Sequence, residues 1–422
     1  MNLKEFKLSD NLKSIPNELY QLAATLEILD LSGNQLSSLP DDFNKFQNLK
    51  ILFLSDNQFE KFPKVLAQCK NLDIIGFKNN QISQIEENSF PEKLRWLILT
   101  NNKLTQIPKS IGNCSILQKL MLSGNQIYTI PSEISNCQNL ELIRLAANQL
   151  IQIPEPLMSI SRLSWIAIAA NPCLPPITPN KSFKEKSWSD IEILEKLGSG
   201  ASGDIFKARL RNSSEMIAVK VFKGEITSDG YPIDEMNICL STGEHPNIVK
   251  VIGKINQHPD RREGILLELI PDSFSKVGDP PNFQTCTRDS FKNGLIYSEE
   301  EILHILLDIS NALNHLHSLQ ILHGDLYAHN MMFNRNQLRT YIGDFGAATS
   351  FSNHSKAFEK FAKLEIRAFG CLVDDLLNLR IAVNSDKPFI QKLERLRNQC
   401  LDSNPYNRPN FLEIQKYLIS RK

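Results

Sequence analysis

His323-Gly324-Asp325-Leu326-Tyr327-Ala328-His329-Asn330, followed further on by Gly343-Asp344-Phe345-Gly346, is the stretch around which this chain is built. Asn330 follows Asp325 by five positions, and Asp344 follows Asn330 by fourteen. One carboxylate can accept the proton of an incoming hydroxyl. An amide and a second carboxylate offer hard oxygens to Mg2+, the ion that neutralises a triphosphate. Any one of these residues alone reads as a solvated loop side chain. The two runs in this order and at this separation point to chemistry at a phosphate.

Composition narrows the setting. At 422 residues the chain exceeds what one hydrophobic core fills and suits two or three domains. Lys plus Arg equals Asp plus Glu at 47 each, so no net field favours nucleic acid or an anionic membrane surface. No apolar run approaches the roughly 20 residues of a membrane span, and the stretch from Met1 lacks the apolar core of a secretory leader. The eight cysteines contain no Cys-x-x-Cys pair. Cys69, Cys114 and Cys137 recur at one phase of a repeat, as small buried side chains do. The expectation is a soluble, cytoplasmic protein in a reducing compartment, with no nucleic-acid partner and no membrane span.

The first half is periodic. Asn11, Asn34, Asn57, Asn80, Asn102, Asn125, Asn148 and Asn171 are separated by 23, 23, 23, 22, 23, 23 and 23 positions. Each sits in one frame, as in Leu26-x-x-Leu29-x-Leu31-x-x-Asn34-x-Leu36-x-x-Leu39-Pro40, which is the leucine-rich repeat pattern. In that frame Leu29 and Leu31 point inward from a short strand. The asparagine bonds backbone groups where the strand turns, and a proline (Pro40, Pro63, Pro108, Pro131, Pro154) opens the return leg. Glu86 stands in the proline's place in the copy at Asn80. A single copy cannot bury its own apolar face, so the stack supplies the core. Phe53, Trp96, Ile98, Met121, Leu142 and Trp165 fall between the ladder positions and are expected on the concave face, where Trp and Met favour a protein partner. Strand propensity accounts for the same residues without a partner. Pro172 to Pro179 is proline-dense and Lys181 to Lys186 is basic, as in a linker. The boundaries follow: a repeat domain over 1–175, a linker over 176–189 and a second domain over 190–422.

In the second half Ile191 to Leu197 reads as a strand entering Gly198-Ser199-Gly200-Ala201-Ser202-Gly203. A strand, Ile205 to Ala208, follows the glycines where a dinucleotide site would have a helix. Ile217-Ala218-Val219-Lys220-Val221-Phe222 places a lysine in an apolar strand, costly unless paired. Its acidic partner is expected on the next helix at Glu235, with Asp234 as the alternative. Gly264 to Ile270 reads as a buried strand, and Asp272 to Tyr297 as irregular. Ser298-Glu299-Glu300-Glu301 is a capping box opening a helix with apolar Ile302, Ile305, Leu306, Ile309, Leu313 and Leu316. With the block Cys400 to Pro409, these runs resemble the protein kinases from about Trp188 to Lys422. The whole chain resembles a leucine-rich-repeat protein kinase.

That resemblance implies an α/β LRR solenoid with a parallel β-sheet horseshoe, followed by an α+β bilobal protein kinase-like domain. It implies ATP and Mg2+ as cofactors. Leu197, Gly198, Gly200, Gly203, Ile205 and Ala218 would surround the nucleotide, with Leu267 as gatekeeper and Glu268 and Leu269 along the adenine edge. Lys220, held by Glu235, would contact the α- and β-phosphates. Asn330 and Asp344 would bind the metal, and Asp325 would orient the acceptor hydroxyl, of Ser or Thr ahead of Tyr. The repeats would recruit the protein to be phosphorylated.

Three departures keep other readings open. Gly324 stands where most protein kinases have Arg, which argues against switching by activation-loop phosphorylation. Tyr327 replaces the Lys that marks serine/threonine kinases. Leu364 to Gly370 resembles the start of the large central helix with Glu365 for its usual Asp, only 21 positions after Asp344 and with no Ala-Pro-Glu between them. The peptide-docking platform is therefore reduced, and Arg408 lacks its usual glutamate unless Glu359 serves. A pseudokinase scaffold that signals by binding is one alternative. A small-molecule phosphotransferase is another, since aminoglycoside and choline kinases share the His-Gly-Asp loop.

Overall fold

The computed structural model describes residues 3–179, 183–211, 213, 215–224, 226–352, 354–381 and 387–420. They fall into two compact units: Met1–Leu163 with Asn171–Cys173, and Ser164–Ala170 with Leu174–Lys422.

In the first unit each repeat contributes a three-residue strand. These are β1 (Glu5–Lys7), β2 (Ile28–Asp30), β3 (Ile51–Phe53), β4 (Ile74–Gly76), β5 (Trp96–Ile98), β6 (Lys119–Met121) and β7 (Leu142–Arg144). They pair in parallel in chain order, so Leu29, Leu52, Ile75, Leu97, Leu120 and Ile143 register as one row. Every member of that row is fully buried, each contributing about 1.5–3 kcal/mol by leaving water. The asparagines knit the copies together. Asn102 Oδ1 accepts from Ile82 N at 2.9 Å while Nδ2 donates to Phe77 O and Leu99 O at 2.9 and 3.0 Å. Asn34, Asn57, Asn80, Asn125, Asn148 and Asn171 repeat this arrangement. Asn11, in the first copy, is exposed. Pro63, Pro108, Pro131 and Pro154 each cap a short 3-10 return helix; the copy with Glu86 makes turns instead.

Of the side chains expected on the concave face, Phe53, Trp96, Ile98 and Met121 are half-buried. Trp96 lies under Lys119, whose ammonium is 4.1 Å from its ring, and donates its indole N–H to Met121 Sδ at 3.4 Å. Leu142 and Trp165 are 3% and 2% exposed, so neither presents a free face. The three phased cysteines are buried and free, with burial pushing the Cys114 and Cys137 thiols up to about 12.

The second unit begins with β8 (Trp165–Ala167), the strand of the last repeat copy. Five further strands make a sheet with β9 (Glu185–Ser187): β10 (Ile191–Ser199), β11 (Gly203–Leu210), β12 (Met216–Phe222), β13 (Val251–Asn256) and β14 (Gly264–Glu268), in the order β10-β11-β12-β14-β13-β9. β9 lies inside the stretch expected to be linker, of which residues 180–182 fall outside the described residues. It pairs in parallel with β13 through Lys254, Ile255 and Asn256, and backbone pairing at an edge asks for no side-chain pattern. Helix α1 (Pro232–Ser241) follows β12. Below the sheet, α2 (Glu299–Ser318) carries the expected capping box and buries Ile302, Ile305, Leu306, Ile309, Leu313 and Leu316. The short strands β15 (Ser275–Lys276), β16 (Ile321–Leu322), β17 (Met331–Asn334), β18 (Arg339–Ile342) and β19 (Thr349–Ser350) frame the loops after it.

Helix α3 runs over Ser355–Asn378, starting well before Leu364, because Phe358 and Phe361 bury an apolar face already in its first turns. Helices α4 (Lys387–Cys400) and α5 (Phe411–Ile419) close the unit. Arg408, buried before α5, donates to the carbonyls of Asp402 and Lys363.

Replacing Asn102 by Ala leaves Ile82 N–H and two carbonyls without their buried partner. The variant is expected to lose about 2–4 kcal/mol, read as a lower urea midpoint for the first unit; an unchanged midpoint would show that the ladder carries no stability.

Candidate active site

The sheet sorts its side chains by strand parity. On one face Ile191, Ala208, Ile217, Val219, Val221, Ile255 and Leu266 form an apolar core. The residues that alternate with them share the other face: Lys220 registers opposite Ile205 and Ile265, Ala218 opposite Leu267, and Gly198 opposite Ile205. Thus Gly198, Ile205, Ala218, Lys220 and Leu267 are brought together. Leu197, at a register shift, is 48% exposed. Glu268 and Leu269 continue from β14 half-buried, with Glu268 accepting from the Tyr341 hydroxyl at 3.3 Å.

Lys220 pairs directly with Glu235 of α1, which is 2% exposed. Asp234, the other candidate, makes no such pair; burial raises its pKa. Burial pulls the Lys220 pKa down, but Glu235 and Asp344 outweigh it, so the ammonium is held protonated above its ordinary value. Between the glycines and Lys220 there is no room to spare. A Cβ on Gly203 would stand 2.6 Å from Val221 O, whereas one on Gly198 would meet nothing within 4 Å. The loop is thus pressed onto β12 at Gly203, where only glycine fits, and open at Gly198.

The run His323–Asn330 forms a loop between β16 and β17 in which Asp325, His329 and Asn330 are half-buried and the other five residues are buried. Asn330 Nδ2 donates to Asp325 Oδ2 at 2.9 Å and to Asp325 O at 3.0 Å. With its nitrogen committed, the Asn330 amide oxygen is the atom left for a cation. Gly343 N donates to Asn330 O at 3.1 Å, and His323 Nε2 lies 3.1 Å from Gly343 O. These bonds tie the Asp344 segment to the loop. Asp344 itself adopts φ +60°, in the left-handed region where Asp and Asn are enriched among non-glycine residues. Among the described residues no cluster of three or more His, Cys, Asp or Glu forms a metal cage. Asn330 and Asp344 fit Mg2+ as partial ligands whose shell phosphate oxygens would complete.

Two residues of this site carry no sequence signal of their own. Asp289, in the irregular stretch before α2, accepts from Ala328 N at 2.6 Å and from His329 Nδ1 at 2.6 Å. His329 sits beside Asn330, and its ring stacks 5.1 Å from Tyr327. Burial lowers its pKa, yet the bond to Asp289 and the charges of Asp289, Asp325 and Asp344 raise it further than burial lowers it. The neighbouring Arg288 anchors the stretch by reaching Asp374 and Asp375 on α3. Glu365 of α3 accepts from Gly324 N at 2.8 Å and lies 2.7 Å from His317 Nε2.

Comparison with known proteins bears on both halves of the chain. The profile of the family described as Protein kinase domain matches residues 191–368, and that described as Leucine rich repeat matches 24–82 and 92–150. A Drosophila melanogaster protein described as mitogen-activated protein kinase kinase kinase 7-like is 26% identical over 54% of this chain and 66% of its own. The human serine/threonine-protein kinase Nek5 is 29% identical over 38% of this chain and 22% of its own. The tyrosine-protein kinase receptor TYRO3 of Danio rerio is 30% identical over 36% and 17%. The chain therefore spans from about a sixth to two thirds of the length of these relatives. A solved leucine-rich-repeat protein of Leptospira interrogans is 31% identical over 41% of this chain and 50% of its own, with a TM-score of 0.35.

The raised pKa of His329 gives a pH test. Its favourable contribution to stability is complete below about pH 6.5, the unfolded value, and is lost as pH rises through the higher folded value. Asp289→Asn removes the carboxylate responsible. The stability deficit of this variant is expected to be larger at about pH 6 than at about pH 9 in thermal unfolding; a deficit that grows with pH would contradict the pairing.

Proposed function

We propose, for a chain that joins leucine-rich repeats to a protein kinase domain, transfer of the γ-phosphoryl group of ATP to a hydroxyl of a protein, serine or threonine ahead of tyrosine. The observation that carries this reading is the Lys220–Glu235 pair beneath the glycine loop, together with Asn330 bonded to Asp325 and tied through Gly343 to Asp344. When bound, ATP with Mg2+ supplies the phosphoryl group and the charge that offsets its oxygens.

The chain's own residues do the positioning. Lys220 holds a permanent positive charge for the α- and β-phosphates, and Glu235 fixes its direction. Asp325, kept in orientation by Asn330, aligns the acceptor hydroxyl and takes its proton as the new O–P bond forms and the bond to the ADP oxygen breaks. Asn330 and Asp344 are the proposed metal ligands. Leu197, Ile205, Ala218, Leu267, Glu268 and Leu269 are the proposed adenine surround. The half-buried row of Phe53, Trp96, Ile98 and Met121 is the proposed face for a protein to be phosphorylated, tethering it at high effective concentration. Eight free cysteines agree with a reducing, cytoplasmic compartment, and no helix of the described residues is long and apolar enough to cross a membrane.

Ten residues separate Asp344 from α3, a short platform for an extended peptide, and this observation favours a small-molecule acceptor as the second reading. Incubating the purified chain with labelled ATP and Mg2+ beside Asp325→Asn separates the readings. Label on the parent protein and roughly 100-fold less on the variant is expected, with both retaining a thermal shift on Mg-ATP. A thermal shift with no label on the parent would favour a binding scaffold or a small-molecule acceptor, and neither signal would overturn ATP use altogether.

A further inference from the structure

The catalytic loop is held from behind by a segment that lies far away in sequence. Ile166 N donates to Gly324 O at 3.2 Å, and Trp165 Nε1 donates to Leu326 O at 3.0 Å. The Trp165 ring lies flat on Tyr327, with centroids 4.5 Å apart and planes 7° from parallel. Arg367 of α3 donates to Ser164 Oγ at 3.1 Å, and Ile168 N meets Thr349 Oγ1 at 3.4 Å. Ser164–Ala170 thus touches the loop, the Asp344-to-α3 segment and α3 within one unit.

This contact accounts for two departures of the sequence from the kinase pattern. Gly324, with φ +74°, has no room for a side chain: a Cβ would stand 2.3 Å from Ile166 O and 2.7 Å from Ala347 O. An arginine here and the strand behind it are mutually exclusive. Tyr327, in the place of a lysine, offers Trp165 a ring to stack on. The stack continues from Tyr327 to His329, which Asp289 anchors from the far side. The loop between Asp325 and Asn330 is therefore clamped between Trp165 and Asp289.

We propose that Ser164–Ala170 is a built-in part of the phosphotransfer unit, standing in for the missing length of activation segment, with Trp165 as the positioning residue that sets Asp325 and Asn330. The inference rests on the phosphotransfer reading above for its catalytic consequence, but the clamp itself does not. Phosphorylation of a loop is then unnecessary for a competent geometry, because the same chain supplies the support through hydrogen bonds and ring stacking.

The test uses the full chain with Trp165→Ala, Trp165→Leu and Trp165→Phe. Hydrogen exchange of residues 321–330 reads the clamp; kcat and KM for ATP read its consequence. Alanine and leucine variants are expected to speed exchange in 321–330 but not in β12. They are expected to lower kcat roughly 10- to 100-fold with KM for ATP within about twofold. The phenylalanine variant, which keeps the ring stack, is expected to recover most of the rate. Unchanged exchange in 321–330, or a parental kcat in the alanine variant, would overturn the proposal. Exchange that rises everywhere in both the alanine and leucine variants would make Trp165 an ordinary core residue, and overturn it too. A parent that transfers no phosphate would sink the phosphotransfer reading, and the exchange data would still decide the clamp.

Discussion

The second unit hangs on the backbone N–H and carbonyl of Gly324. Its N–H is taken by Glu365, 1% exposed, and its carbonyl by Ile166. A buried backbone N–H or carbonyl without its partner would cost about 1–3 kcal/mol, so α3, the loop His323–Asn330 and the segment Ser164–Ala170 are locked to one another. One carboxylate, that of Glu365, meets both Gly324 and His317. From that anchor the loop leads directly to Asp325 and Asn330.

A second constraint sets the other wall of the site. Lys220 and Glu235 are both buried, and an unpaired charge at either position would be strongly destabilising. Their pairing decides where α1 sits against β12. Because strand parity sends Val219 and Val221 into the apolar core, Lys220 must emerge on the opposite face, beside Ala218 and Ile205. Packing on one side of the sheet thereby places the charge on the other.

Much of this was legible. The 23-residue period named the solenoid, since each copy repeats the same local bonds and a one-dimensional stack needs nothing from distant sequence. The short spacing from Asp325 to Asn330 likewise announced the loop, because the two residues are joined by a local hydrogen bond five positions apart. The capping box at Ser298 and the helix after it were readable for the same reason. By contrast, β9 in the supposed linker and the early start of α3 left no clear pattern. The one is defined by backbone pairing at an edge, the other by an apolar face that reads only once its neighbours are known.

By itself the sequence determined the repeat register and the strands on either side of the glycines, and it put Asp325, Asn330 and Asp344 forward as a candidate site, all from patterns read along the chain. Tertiary structure alone decided that Asp289 grips His329 from 40 positions away, and that Trp165 covers Tyr327 beside a bond to Leu326 spanning 161 positions. Contacts so distant leave no periodicity to read. They become visible only when folding brings the chain back on itself, and the absent side chain at Gly324 is the mark they left in the sequence.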